Sequence, residues 1–243
     1  MLLLKKNIKV VSQMKIKFAS NADNTSITSK PGYKKGFLTT YKDHTGSYKL
    51  KYGRKNCVKS VIQTGDDGKV VYKHVWKKGK LSKVDLSSSL EHVVFGFKYK
   101  GKKVNRIIEN GVAEGDGEKE KWHLVYKYKY KKNKISKQSY KNSSGKVTDS
   151  FKYDKKGNMI SCISKLNGNK VAYTKVKFNY KKGYVSTMSV EEKEPWIESP
   201  LKYKVSYKYK SVKVKKSAVK RIKAQQWKLI NQNNAISFAW FVQ

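Results

Sequence analysis

The sequence predicts an all-β fold with one C-terminal α-helix. The sheet is expected to be an antiparallel meander of roughly a dozen strands, built from hairpin repeats of about 23 residues and bent into a curved sheet or incomplete barrel. Three observations carry this expectation. Aromatic residues and lysines alternate with a period of two, most plainly in "LVYKYKYKK" from residue 124, and period two marks a strand with two unlike faces. An aromatic followed by a basic, often glycine-bearing turn recurs at Tyr52, Trp76, Tyr99, Tyr130, Tyr153, Tyr180 and Tyr209, at intervals of 24, 23, 31, 23, 27 and 29 residues. A second set of turns, "GDDGK", "NSSGK" and "NGNK", falls between them; their Gly and Asn supply the positive φ that tight hairpins need.

Residues 1–30 read as a basic lead-in followed by a polar linker. The apolar run of the start is cut by Lys5, Lys6, Lys9, Lys15 and Lys17, where a signal peptide needs an uninterrupted hydrophobic region. The segment is either a degenerate or truncated signal or a basic amphipathic stretch. Residues 31–214 form the β-repeat domain. Its first hairpin is "FLTTYKDHTGSYKLKY", with the turn at 43–46. Further along, Tyr126, Tyr128 and Tyr130 are expected on one face and Lys127, Lys129 and Lys131 on the other. Phe95/Phe97/Tyr99, Val176/Phe178/Tyr180 and Tyr203/Val205/Tyr207/Tyr209 repeat the pattern. The longest interval holds the acidic insertion "EGDGEKE" at 114–120, read as a solvated loop, and "VEEKEP" at 190–195 reads as a loop before the last strand. Alternation stops after Val214. In 215–232, Val219, Ile222, Gln226 and Leu229/Ile230 follow a helical stripe after a Ser217 N-cap, so an amphipathic helix is expected to pack on the aromatic face. The apolar tail 233–243 is too short to span a bilayer.

The segment "FKYDKKGNMIS" at 151–161 resembles the YD repeat of Rhs-type proteins, whose core is Tyr-Asp, two variable residues, Gly, then Asn or Arg. Tyr153, Asp154, Gly157 and Asn158 match it. The other units keep the aromatic and often the Gly, but carry Lys or Gly in place of the Asp. The chain is also similar to lysine-rich, YD-like secreted proteins of Gram-positive gut bacteria that end in a helix with a "QQW"-like motif, here Gln225, Gln226 and Trp227. The resemblance implies an extracellular or cell-surface β scaffold without known chemistry. The toxin-enclosing role of true Rhs shells is not carried over to a chain of 243 residues.

Lys and Arg number 56 against 17 Asp and Glu, a formal charge of +39. Such a surface attracts anions. Only Arg54, Arg106 and Arg221 carry the planar fork that reads bases, so point-charge binding is the expectation, although A/T-rich coding also raises Lys content. Chemistry-bearing constellations are absent from the sequence. His44, His74, His92 and His123 stand apart without ligand spacing. Asp66 and Asp67 occupy a turn, and Glu114, Asp116, Glu118 and Glu120 lack the pattern of a calcium loop. Cys57 and Cys162 sit on separate strands, with no disulfide framework expected. No catalytic residue, metal site or cofactor is assigned.

The expected function is non-enzymatic. The lysine face, represented by Lys127, Lys129, Lys131, Lys152 and Lys177, would hold an anionic polymer such as teichoic acid, acidic glycan or extracellular DNA, outside the cell or at its surface. Three other readings stay open: a carbohydrate-binding module using exposed Tyr and Trp, a purely structural surface protein, and an enzyme whose acids converge only on folding.

Overall fold

The structure, a computed structural model, describes residues 7–20, 24–29, 31–34, 37–43, 46–53, 57–66, 68–115, 118–155, 157–181 and 184–215. Among these residues, seventeen antiparallel strands form one sheet. They are β1 (Asn7–Ser20), β2 (Asn24–Ser29), β3 (Gly32–Lys34), β4 (Phe37–Asp43), β5 (Gly46–Tyr52) and β6 (Val58–Gly65). Next come β7 (Gly68–Lys77), β8 (Lys80–Ser87), β9 (Glu91–Lys100), β10 (Lys103–Gly115), β11 (Glu118–Lys131) and β12 (Lys134–Asn142). The last are β13 (Gly145–Tyr153), β14 (Met159–Leu166), β15 (Asn169–Lys181), β16 (Tyr184–Lys193) and β17 (Leu201–Lys215).

From β3 onward, each strand pairs with the next. The start of the chain breaks this rule. β1 pairs with β2 and, on its other side, with β17, from Asn7↔Lys215 to Ser20↔Tyr203. The ladder therefore runs from β2 through β1 and β17 down to β3. Its two edge strands are consecutive in sequence, since β2 ends at Ser29 and β3 begins at Gly32. A sheet whose edges are tied by so short a link must curl back on itself. β2 comes against β4, but no ladder pairing joins β2 to β3 or β4 among the described residues, so the ring stays open.

Four expectations change. The strand number exceeds a dozen, because residues read as lead-in, linker and loops also pair. Asn7–Ser20 and Asn24–Ser29, placed in the lead-in and linker, are strands. The acidic insertion is the tip of a long hairpin: Glu114 faces Lys119 and Ala113 faces Glu120, and a Glu114–Lys119 ion pair of 2.6 Å clamps it. Opposite charges on facing positions favour pairing where composition alone suggests a loop. Glu191, Glu192 and Lys193, expected in a loop, end β16. Of the expected helix at 215–232 and tail at 233–243, Lys215 ends β17 and residues 216–243 lie outside the described residues.

Two devices recur along the repeats. The first is a β-bulge beside the turn, at Lys51/Tyr52, Val75/Trp76, Val104/Arg106, Lys129/Tyr130, Lys152/Tyr153 and Asn179/Tyr180. A bulge adds twist, and twist repeated with one hand bends the sheet. The turns themselves are tight. Lys132 and Asn133 both adopt left-handed φ, 48° and 62°, as a two-residue type I′ hairpin requires.

The second device joins neighbouring repeats. The turn aromatic of one unit reaches back to the residue just past the turn of the unit before. Trp76 Nε1 donates to the Val58 carbonyl (2.8 Å), Tyr99 Oη to that of Leu81 (2.8 Å) and Tyr130 Oη to that of Val104 (2.7 Å). Lysines at the same turns lie over the following rings: Lys80 over Tyr99 at 5.1 Å, Lys103 over Tyr130 at 5.2 Å and Lys134 over Tyr153 at 5.9 Å. Such cation–π contacts contribute about 0.5–1 kcal/mol each where exposed. In the YD-like copy the latch is a carboxylate. Tyr180 Oη donates to Asp154 Oδ2 at 2.5 Å, and the Asn158 amide nitrogen donates to both Tyr180 Oη and Asp154 Oδ2.

The aromatic face is the core. Tyr126, Tyr128, Phe95, Phe97 and Tyr207 are buried, while the adjacent Lys98, Lys127, Lys129 and Lys208 are exposed. Burial is the main cause that pushes the Tyr52, Tyr130 and Tyr153 hydroxyls up to about 12. Three buried clusters line this face, each drawn from consecutive strands: β3–β5, β7–β13 and β15–β17. Packing thus runs sideways along the sheet, and the curl turns this face inward.

Candidate functional site on the lysine face

Alternation fixes what the outer face carries. Lys127, Lys129 and Lys131 of β11, Lys152 of β13 and Lys177 of β15 are all exposed. The ladder shows which of them it brings together. Lys127 faces Arg106, which faces Lys98, so three cations lie in one row across β9–β11. Lys129 faces Lys137. Lys152 faces Ser161, which faces Lys175, and Lys177 faces Ser189, which faces Lys204. The five candidates therefore share a face but not a single cluster. Lys98, Lys137, Lys175, Lys202 and Lys204 were missed by sequence reasoning. Their alternation was visible, but their neighbours are set by strand pairing.

Like charges meet repeatedly on this face. Besides those rows, Lys141 faces Lys146, Lys165 faces Lys170 and Lys15 faces Lys208, and all six are exposed. Directly opposed like charges are destabilising, within the roughly 0.2–1 kcal/mol of cross-strand effects. Acidic compensation is sparse. Among the described residues the ion pairs are Lys83–Asp85, His92–Asp85, Lys119–Glu114 and Lys175–Glu191.

A shallow groove of about 630 Å³ lies over β15, β16, β17 and β1. Lys175, Lys177, Lys202 and Lys204 flank it, with Ser189 and Glu191 between them. Hydrogen bonds from Lys175 Nζ and from the Tyr173 hydroxyl, both 2.9 Å, hold the Glu191 carboxyl below the usual carboxylate range.

The acids of the aromatic face have a different character. Glu109 is 8% exposed and accepts from Trp122 Nε1 (2.6 Å) and Tyr126 Oη (2.9 Å). Asp149 is 9% exposed and accepts from Gln138 Nε2 (3.1 Å) and the Ser164 hydroxyl. Burial raises the Asp149 pKa despite these donors. The folded state thus holds this proton more tightly than the unfolded chain does. Its contribution to stability is greatest below the ordinary aspartate range near 3.9 and is lost as pH rises through the raised folded value. Asp149→Asn is expected to raise stability at neutral pH by on the order of 1 kcal/mol, with the gain shrinking toward pH 4. Thermal melts across that range check this; an equal loss at both ends would refute it.

No disulfide joins Cys57 and Cys162, and burial chiefly pushes the Cys162 thiol up to about 12. His92 pairs with Asp85 and His123 Nδ1 lies 2.7 Å from Asn110 Oδ1. Among the described residues no group of three His, Cys, Asp or Glu is placed to hold a metal ion, and no helix is long and apolar enough to cross a membrane.

No protein-family model matches the chain, and no curated protein matches it in sequence. Among solved structures, the chain is similar to a porin-like protein from Bacteroides vulgatus ATCC 8482, with a TM-score of 0.55 and 11% identity over 82% of this chain and 98% of that one. A porin-like protein from Bacteroides uniformis ATCC 8492 gives a TM-score of 0.51 and 12% identity over 82% of this chain and 98% of that one. At this identity the likeness is one of fold alone. The TcdB2-TccC3 structure without its hypervariable C-terminal region is a weak neighbour, with a TM-score of 0.23 and 8% identity over 72% of this chain and 14% of that one.

Proposed function

We propose that the protein is a non-enzymatic scaffold of the cell exterior whose lysine face holds an anionic polymer. The observation that carries this reading is the set of exposed lysines facing one another across strands with few carboxylates among them. The fold tolerates that repulsion, and a bound polyanion would relieve it while releasing counterions. The same face argues against burial in lipid, since the outward band of a membrane barrel is apolar and lysine there is costly. The buried acids Glu109 and Asp149 fit a structural role, because each is already engaged by donors on the core side.

Melting the protein with heparin, poly(glycerol phosphate), duplex DNA and a neutral glycan tests this. The anionic polymers are expected to raise Tm at low salt and to lose the effect at high salt. For six to ten contacts, affinity falls by roughly 10³–10⁵ between about 50 and 200 mM salt. No shift with any polyanion at low salt would overturn the reading. A salt-insensitive shift with the neutral glycan would favour stacking, for which Trp196, 79% exposed in the turn before β17, is the available platform.

A further inference from the structure

We infer that the groove over β15–β17 and β1 is the anchoring subsite for one chain of a base-free phosphodiester polymer, such as a polyol phosphate. This rests on the polyanion reading and gives it a location and a ligand class. The geometry comes from the ladder. Lys177, Ser189, Lys204 and Ala19 form one row across four strands, and Lys175, Glu191 and Lys202 form the next. Lysine columns on β15 and β17 thus flank a channel floored by β16, where Ser189 leaves room. The columns stand about 10 Å apart, two strand spacings, and lysines within a column repeat at about 7 Å. A single polymer chain fits between such walls, whereas a duplex about 20 Å across spans them without entering.

Charge and surroundings narrow the ligand. Glu191 is tied to Lys175 and Tyr173. No ion pair among the described residues engages Lys177, Lys202 or Lys204. Three ammonium groups therefore face the channel as point charges, the form in which lysine binds phosphate. Proteins that hold single-stranded nucleic acid add exposed aromatics for the bases. Here the neighbouring Tyr173 ring is covered by Lys170 at 4.0 Å and Lys175 at 4.7 Å, and Tyr203 turns its hydroxyl toward Glu192. The groove offers charge without a stacking surface.

The test titrates the full chain with poly(glycerol phosphate) and with oligo-dT at low salt. Two triple variants are compared: Lys177→Gln/Lys202→Gln/Lys204→Gln in the groove, and Lys69→Gln/Lys73→Gln/Lys77→Gln on β7. They remove equal charge, and melting curves establish that both are folded. The groove triple is expected to weaken poly(glycerol phosphate) binding by about 10-fold or more, and the β7 triple by less than about threefold. Equal weakening would overturn the subsite and leave the polyanion reading standing. Tighter binding of oligo-dT than of poly(glycerol phosphate) would overturn the ligand class. No binding by the unaltered chain would overturn the polyanion reading itself.

Discussion

Gly111→Ala is expected to destabilise the protein by about 3 kcal/mol, although the change adds a single methyl group. Gly111 of β10 faces Trp122 of β11, whose indole occupies the space beside the glycine Cα. A Cβ built at this position overlaps the six-membered ring of Trp122. Overpacking of this kind costs roughly 1–3 kcal/mol. The indole cannot move without loss, because its Nε1 is one of two donors to the buried Glu109 carboxylate. A hydrogen bond to a charged group is worth roughly 1.5–3 kcal/mol, and the two costs overlap where the ring shifts only partway. Denaturant unfolding measures the total. Trp122→Ala in the same chain should absorb much of the glycine effect, since the two residues act through one contact. An alanine variant within about 0.5 kcal/mol of the parent would refute the arrangement.

Asp154→Ala should have the next largest effect, about 3 kcal/mol. Its Oδ2 accepts hydrogen bonds from Tyr180 Oη and Asn158 Nδ2, and its Oδ1 accepts one from the Asn158 backbone N–H at 2.8 Å. Asn158 is only 2% exposed, so removing the carboxylate leaves buried donors unmet, at about 1–3 kcal/mol per orphaned group. Burial, reinforced by the hydrogen bond to Asp154, raises the Tyr180 hydroxyl pKa, so the phenol remains the donor at neutral pH. A double-mutant cycle with Tyr180→Phe should return a coupling of about 1 kcal/mol or more. A coupling near zero would mean that Asp154 serves only its own turn.

These two sites differ in how well the sequence announced them. The Tyr-Asp-x-x-Gly-Asn run was visible as a motif, because its residues are neighbours in the chain and serve one turn. That its Asp reaches a tyrosine 26 residues later was not visible. The aromatic rows were legible for a local reason too, since side-chain parity along a strand needs no knowledge of the partner. Trp122 over Gly111 had no local signal, because pairing register alone brings them together. β1 is the clearest case. Its residues read from the sequence as a lead-in cut by Lys15 and Lys17, and its principal partner is β17; a pairing that closes so long a loop leaves no imprint on nearby sequence. The groove shares this obscurity: Lys177 and Lys204 meet across Ser189 only once three strands have found their register.

The pairing of β1 with β17 also dictates an order of assembly. A ribosome releases the repeats from one end, and each hairpin can lay itself against its predecessor as it emerges. β1 can pair early with β2 alone. Its other edge, an open row of N–H and C=O groups from Asn7 to Ser20, has no native partner until Lys215 has been made. Among the described strands, β1 is thus made before the others and sealed last. For most of synthesis the nascent chain carries the kind of uncovered edge on which strands from other molecules pair, and the lysines spaced along it supply repulsion between copies during that interval.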